Sequence, residues 1–386
     1  MAGTIPKPAG QPAAAAPRLP DFALDAIPWR SMSDATAAWD ALALCATEPN
    51  PFFESWYLLP ELAAFDPTED VALLRFEAGG ELAGLMPLVR ARSYYGRPVP
   101  HLASWLHANC FLGAPLVAAG LERPFWRALL TWADGHAGAG LFLHLRDLPL
   151  SGPLHQSLSD VLDEQRRPAA LVHREERAML ASDEAPEAYF EAALSGKKRK
   201  ELRRQFARLS ELGEVHLERS TDAEGLDSWI EAFLALELAG WKGLAGSALA
   251  AQPATAHLFR ESIDGAARRS RLERLTLSLD GAPIAMLATF LTPPGAFSFK
   301  TAFDERYARY SPGVLLQREN LTILDRDEIA WTDSCAAADH PMIDHIWRER
   351  RVIGRLSIAV GGRLRRAAFG LLARAELGRP PSGITE

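Results

Sequence analysis

Residues 300–316, Lys300-Thr301-Ala302-Phe303-Asp304-Glu305-Arg306-Tyr307-Ala308-Arg309-Tyr310-Ser311-Pro312-Gly313-Val314-Leu315-Leu316, read as the end of a strand, a polar loop and an abrupt helix start. Upstream, Leu275 to Leu279 and Ile284 to Leu291 are strand-like runs around Asp280-Gly281, a dipeptide suited to the positive φ angles of a tight hairpin turn. Pro293-Pro294-Gly295 breaks the chain again before Phe297-Ser298-Phe299-Lys300, so three antiparallel strands are expected ahead of the loop. Downstream, Ser311-Pro312 fits an N-cap followed by proline at the first helical position, where a missing N–H costs nothing. Gly313 then leaves the terminus without a side chain. Such a terminus presents N–H donors and the positive end of a dipole, so the backbone of Ser311, Pro312, Gly313, Val314 and Leu315 is expected to cradle an anion such as a pyrophosphate. The plain alternative is an ordinary strand-to-helix turn.

With 386 residues, 48% of them hydrophobic and 24% charged, the chain has the composition of a soluble protein and length for two domains. A net charge of -7 argues against general nucleic-acid binding, DNA included, while leaving room for local basic patches. Cys45, Cys110 and Cys335 are too few and too scattered for a disulfide framework or a clustered zinc site, and reduced buried thiols are expected. Residues 1–20 are rich in Ala, Pro and Gly without an apolar signal region, and read as a disordered tail. No apolar run reaches bilayer-spanning length, so a cytoplasmic location is expected.

The pattern from Leu24 to about Leu171 is helix, strands, helix, strand: Ala35 to Ala46 helical, Val71 to Phe76 and Leu82 to Val89 strand-like around Gly79-Gly80, a helix from about Glu122 to Gly135 and a strand Leu141 to Leu145. The second half repeats that order with the hairpin, the strand Phe297 to Thr301, the helix Pro312 to Leu324 and the strand Ile329 to Asp333. The repeat is one of architecture rather than of residue identities. The first half carries Gly113-Ala114-Pro115-Leu116-Val117 after its third strand, with no polar loop or Ser-Pro-Gly start. Only the second half is therefore expected to bind a donor, the first packing against it to shape an acceptor cleft.

Other segments carry possible chemistry. Lys197 to Arg208 is a helix with Leu202, Phe206, Leu209 and Leu212 at helical spacing and a cluster of cations, Lys197, Lys198 and Arg199 standing at the N-terminal end, where positive charge opposes the dipole. They are candidates for contact with a phosphorylated donor or an anionic acceptor, against the alternative of a solvated face. Glu237 ends an amphipathic helix just before Gly240-Trp241-Lys242-Gly243, and is a candidate base or a structural partner of Lys242. Lys300 closes a strand and Asp304 opens the following loop, which makes Asp304 a second candidate base and Lys300 a group to position the acceptor or polarise a carbonyl. Cys335 reads better as a small buried hydrophobe than as a nucleophile. His340 and His345 are five residues apart, too far round a helix to share a face, so a loop leading into an Ile346-Trp347-Arg348 helix is preferred over a metal site. Arg355 to Arg379 reads as a basic amphipathic segment that either docks on its own domain or makes weak contact with an anionic membrane surface.

Three of these stretches together resemble a known family. Ser311-Pro312-Gly313-Val314-Leu315-Leu316 behind the Asp304-to-Arg309 loop, the basic helix from Gly196, and Glu237-Leu238-Ala239-Gly240-Trp241-Lys242-Gly243 look like the GNAT acyltransferase superfamily, in its CelD/BcsL-type branch linked to polysaccharide biosynthesis. The resemblance covers roughly Ala185 to Asp333, and each motif alone is a weak signal. It implies an α/β (α+β) fold of tandem GNAT-like domains, each a mixed, mainly antiparallel sheet flanked by helices. The expected division is a tail over 1–20, a degenerate domain over 21–175, a catalytic domain over 176–360 and a basic amphipathic tail over 361–386. The activity implied is acetyl or other acyl transfer from acyl-CoA, a co-substrate rather than a resident cofactor, to a sugar, polysaccharide precursor or related metabolite, with no metal. The Ser311–Leu315 backbone would then hold the CoA pyrophosphate, Asp304, Glu237 and Lys300 would be catalytic, and Trp241, Lys242, Lys197, Lys198 and Arg199 would bind substrate. Two alternatives stand beside it: Fem-type transfer from aminoacyl-tRNA, and a non-catalytic regulator of exopolysaccharide synthesis.

Overall fold

The computed structural model describes residues 21–340, 342–381 and 383–384; the expected disordered tail lies outside them. The first half contains β1 (Phe22–Pro28), α1 (Thr36–Cys45), α2 (Ser55–Phe65), β2 (Val71–Ala78), β3 (Glu81–Ala91), β4 (His101–Ser104), β5 (Leu116–Val117), α3 (Glu122–His136), β6 (Phe142–Pro149), α4 (Gly152–Glu164) and β7 (Ala169–Leu180). The second contains α5 (Pro186–Ala193), α6 (Gly196–Ser210), β8 (Val215–Ser220), α7 (Leu226–Ala239), α8 (Trp241–Leu244), α9 (Pro253–Arg268), β9 (Leu272–Leu279), β10 (Ala282–Thr292) and β11 (Gly295–Phe303). It continues with α10 (Pro312–Asn320), β12 (Trp331–Asp333), β13 (Glu349–Ala359) and α11 (Arg363–Leu377).

All the strands join one sheet, in the order β1-β2-β3-β4-β6-β13-β7-β12-β11-β10-β9-β8, with β5 against β3. Most pairs are antiparallel; β4 with β6 and β11 with β12 are parallel. The two halves trade strands at the centre. β7 lies beside β12 of the second half, β13 beside β6 of the first, and the two exchanged strands pair with each other from Glu349↔Met179 to Ile358↔Ala169. The expected boundary after residue 175 thus falls inside β7.

Local chemistry explains the elements around the opening motif. Asp280 (φ 49°) and Gly281 (φ 77°) both adopt the left-handed backbone that a two-residue hairpin between β9 and β10 requires. Along β11 the register slips between Ala288↔Lys300 and Thr289↔Ser298, leaving Phe299 as the extra residue of a β-bulge, a device that bends a strand and re-aims its side chains. Ser311 precedes α10 as expected, but at φ 55° with no side-chain capping bond. Ile346-Trp347-Arg348 leads into β13 rather than a helix, because Trp347 is fully buried and the following Ile353 and Ile358 pair on both sides within the sheet. In α6 only Leu202 and Leu209 face inward, while Phe206 and Leu212 remain exposed.

The halves meet over an aromatic cluster. Phe52 and Tyr57 from the first half pack against Phe290 and Phe299 of the second, edge-on except for the tilted Phe52–Phe299 pair, with ring centroids 5.8–6.4 Å apart. Beside it, Asp333 on β12 binds Arg177 on β7 and Arg351 on β13, each at 3.0 Å, and Arg351 also pairs with Glu48. α11 docks by Phe369 and Ala373 on Tyr94 and Phe142, with Leu364 and Leu371 facing outward.

Candidate active site

β11 and β12 pair only from Gly295↔Trp331 to Phe297↔Asp333. Beyond that point the chain after β12 turns away, with Cys335 at φ 52° and its N–H donating back to Asp333 Oδ1. The strands splay, and the wedge between them is a cleft of about 320 Å³ whose lining includes Phe111, Trp241, Lys242, Lys300, Cys335 and Met342. The cleft is aromatic at its walls and cationic at its floor.

Lys300 is the floor. Its Nζ donates to Asn109 Oδ1 at 2.8 Å and lies 4.9 Å and 5.5 Å from the ring centres of Phe111 and Phe299. Burial, with Lys242 nearby, lowers its pKa to about 8. Among the described residues no carboxylate pairs with it directly.

The two carboxylates expected beside it are committed to backbone and cations. Glu237 is buried, accepting from Lys242 Nζ at 2.7 Å on one oxygen and from the Leu249 N–H at 2.7 Å on the other. Lys242 Nζ also reaches the Thr301 carbonyl at 3.3 Å, so the Trp241-Lys242 turn is tied to the edge of β11. Trp241 itself is 56% exposed at the rim, its N–H donating to Glu305 Oε1 at 2.6 Å. Asp304 caps the short 3₁₀ helix Glu305–Tyr310, and its carboxylate grips the Arg306 guanidinium at 2.6 Å, which holds its pKa below the usual range.

The α10 terminus differs in detail from the expectation. The amides of Val314 and Leu315 both turn to the Ser311 carbonyl, at 3.0 Å and 3.1 Å, and Pro312 and Gly313 are buried. A Cβ on Gly313 would stand 3.0 Å from Met342 Sδ and 3.6 Å from Phe303, so the absent side chain also admits the segment after β12. Lys197 and Lys198 are exposed at the start of α6, whereas Arg199 pairs with Glu191 at 3.1 Å. Arg199, Arg203 and Phe206 flank a small groove completed by Val314, Leu315 and Arg318 of α10, apart from the residues that line the wedge. Cys335 is buried, and burial pushes its thiol well above the ordinary range, which suits an inert side chain. His340 lies at the rim as a turn residue, its Nδ1 accepting from the Met342 and Ile343 amides at 3.4 Å. Asn109 and Phe111 escaped the sequence reading. The one signal was the His107-Ala108-Asn109 polar interruption ahead of an apolar run, and nothing local ties it to Lys300.

Comparison with known proteins bears on the fold and on the class of reaction. Residues 196–340 match the family model described as the acetyltransferase (GNAT) domain. No curated protein matches the chain. Among solved structures, FemX superposes with a TM-score of 0.54 at 11% identity, covering 88% of this chain and 98% of its own. A conserved protein of unknown function from Bacteroides thetaiotaomicron VPI-5482 gives 0.52 at 12%, covering 84% and 97%. The C-terminal domain assigned to a lysylphosphatidylglycerol synthetase of Agrobacterium fabrum gives 0.52 at 12%, covering 89% and 97%. At these identities the likeness is one of fold. The match over 196–340 spans less than half of the chain, and it supports an acyltransferase.

Proposed function

We propose that the wedge between β11 and β12 transfers an acyl group from acyl-CoA to an amine or hydroxyl, with Lys300 as the general base. The observation that carries this is the Lys300 amine in the cleft, held by the neutral Asn109 Oδ1 at 2.8 Å rather than by a carboxylate, where burial lowers its pKa to about 8 and favours the unprotonated form. Glu237 and Asp304, each engaged by a cation and by backbone N–H groups, serve better as supports, Glu237 for Lys242 and Asp304 for the loop before α10.

The acceptor lone pair attacks the thioester carbonyl carbon while its proton passes to Lys300 Nζ. The tetrahedral intermediate collapses with cleavage of the C–S bond, and the leaving thiolate recovers the proton from the Lys300 ammonium, giving the acylated acceptor and free CoA. Backbone N–H groups on the splayed edge of β11, beside the bulge at Phe299, would hold the thioester oxygen. The Ser311 to Leu315 backbone would receive the pyrophosphate at the α10 terminus through the Gly313 N–H, which requires Met342 to yield and any further amide to leave its backbone partner. A sugar or polysaccharide precursor as acceptor follows from the CelD/BcsL-type resemblance. Aminoacyl transfer from a charged tRNA is the second reading, favoured by the cations of α6, with Lys197 and Lys198 exposed at its start.

Calorimetric titration with acetyl-CoA and CoA tests the proposal. Micromolar binding that survives in Lys300→Met and disappears in Gly313→Trp supports it. Absence of binding to the parent protein overturns the acyl-CoA reading, and activity that depends on RNA, lost on nuclease treatment, would put tRNA in its place.

A further inference from the structure

The arm joining β4 to β5 belongs to the first half, yet it walls the cleft of the second. It is pinned along its length. The Trp105 N–H donates to the Pro87 carbonyl at 3.0 Å, and the buried Tyr57 hydroxyl donates to the Asn109 carbonyl at 2.7 Å. Arg177 donates to the Phe111 carbonyl at 2.6 Å while bound to Asp333, so one guanidinium joins the arm to the strand that opens the wedge. Asn50 Nδ2 reaches the carbonyls of Leu112 and Ala114 at 3.1 Å and 2.7 Å. The Gly113 N–H donates to the Asp147 carbonyl at 2.9 Å, so close to β6 that a Cβ on Gly113 would lie 1.9 Å from the Arg146 carbonyl oxygen. A segment held at so many points presents Asn109 in one place.

We propose that Asn109 is a positioning residue for Lys300: the arm of the first half supplies a neutral oxygen that aims the amine of the second. The inference rests on the acyl-transfer reading for its catalytic consequence and on the geometry alone for the coupling. An amide is the group this position needs. A carboxylate here would form an ion pair and keep Lys300 protonated, and an apolar side chain would leave the amine unaimed between the two rings. Asn109 Oδ1 accepts strongly from the ammonium and more weakly from the neutral amine, whose lone pair is then free to face the cleft. The other charged or titratable groups facing Lys300 are Lys242 on α8 and Glu237 on α7, Cys335 after β12, and His107 on the same arm. None of these is Asn109's substitute, since Lys242 repels, Glu237 is bound to Lys242, and Cys335 is held as a thiol.

The test is the pH dependence of Lys300 labelling by acetic anhydride, read by peptide mass spectrometry on the full chain, in the parent, Asn109→Asp and Asn109→Leu. The two variants should move the midpoint in opposite directions. Asn109→Asp raises it by about a unit or more, giving roughly tenfold slower labelling at pH 7. Asn109→Leu removes an acceptor from the ammonium and lowers the midpoint; in turnover it costs about tenfold in kcat with KM for acetyl-CoA within about twofold. Circular dichroism confirms folding, and either variant alone carries the test if the other fails to fold. An unshifted midpoint in a folded variant overturns the proposal, as does unchanged kcat in Asn109→Leu. Labelling needs no substrate, so opposite shifts without any acyl transfer uphold the Asn109–Lys300 coupling and sink only the acyltransferase reading.

Discussion

Between β4 and β6 the chain fills its own wedge, whereas between β11 and β12 it leaves one open. Both strand pairs are parallel and short, both follow a hairpin, and in both a helix, α3 or α10, lies between the paired strands. In the first half the arm after β4 lies along Arg146 and Asp147 of β6, with Arg146 Nη1 donating to the Leu106 carbonyl at 3.3 Å and its N–H to Ser104 Oγ at 2.8 Å. In the second half the corresponding stretch is the compact 3₁₀ turn Glu305–Tyr310, which keeps clear of the wedge. The same architecture gives a sealed copy and a receptive copy, and the difference lies in where one connecting segment runs. The segment that seals the first wedge is then reused as a wall of the second.

Lys300→Met gives the largest expected effect that would break this contrast. It should lower kcat by at least about a hundredfold, the scale of a lost general base, while calorimetric binding of acetyl-CoA changes by less than about threefold. Retained turnover would make the open wedge a binding groove without chemistry. Next comes the sealed side: Gly113→Ala drives a Cβ into the Arg146 carbonyl and should destabilise the protein by about 2–3 kcal/mol in urea unfolding. An unchanged midpoint would mean the arm has room to relax.

The third effect is a pH profile. Lys300 titrates near 8 in the fold, below its ordinary 10.5, so kcat/KM should climb about tenfold per unit below pH 8 and level above it. For stability the sign follows from proton uptake: between about pH 8 and 10.5 the unfolded chain holds the proton that the fold has lost, so stability rises with pH across that window. In Lys300→Met that rise should vanish from a series of urea melts. The smallest effect concerns α6. Replacing Lys197 and Lys198 by Ala should leave stability within about 0.5 kcal/mol and weaken donor binding only a few-fold, more at low salt. A total loss of acetyl-CoA binding would extend the donor site onto that helix.

What was legible in the sequence was local. Asp280-Gly281 declares its hairpin because the turn needs two positive φ angles, and Ser311-Pro312 declares the α10 start because proline tolerates the first helical position. Glu237 and Lys242 stand five residues apart, so their pairing was foreseeable as one of two options. Asn109 and Lys300 are 191 residues apart, and no spacing rule joins them. The exchange of β7 and β13 was equally hidden, since neither stretch is marked as a strand by turn signals or alternation and only the sheet as a whole decides their neighbours. Ile346-Trp347-Arg348 misled for a related reason: its apolar residues serve a buried strand approach, and short apolar runs do not distinguish helix from strand.

The exchange also orders events during synthesis. β6 emerges from the ribosome about two hundred residues before β13, the strand that will lie beside it, so the first half leaves the tunnel with an unpaired edge in the middle of its future sheet. Its sheet closes only when β13 has emerged, and until then an unpaired edge of that kind invites pairing with strangers. A nascent chain of this protein arrested before residue 349 should therefore be a client of chaperones, and release of β13 should be the moment at which both halves become one.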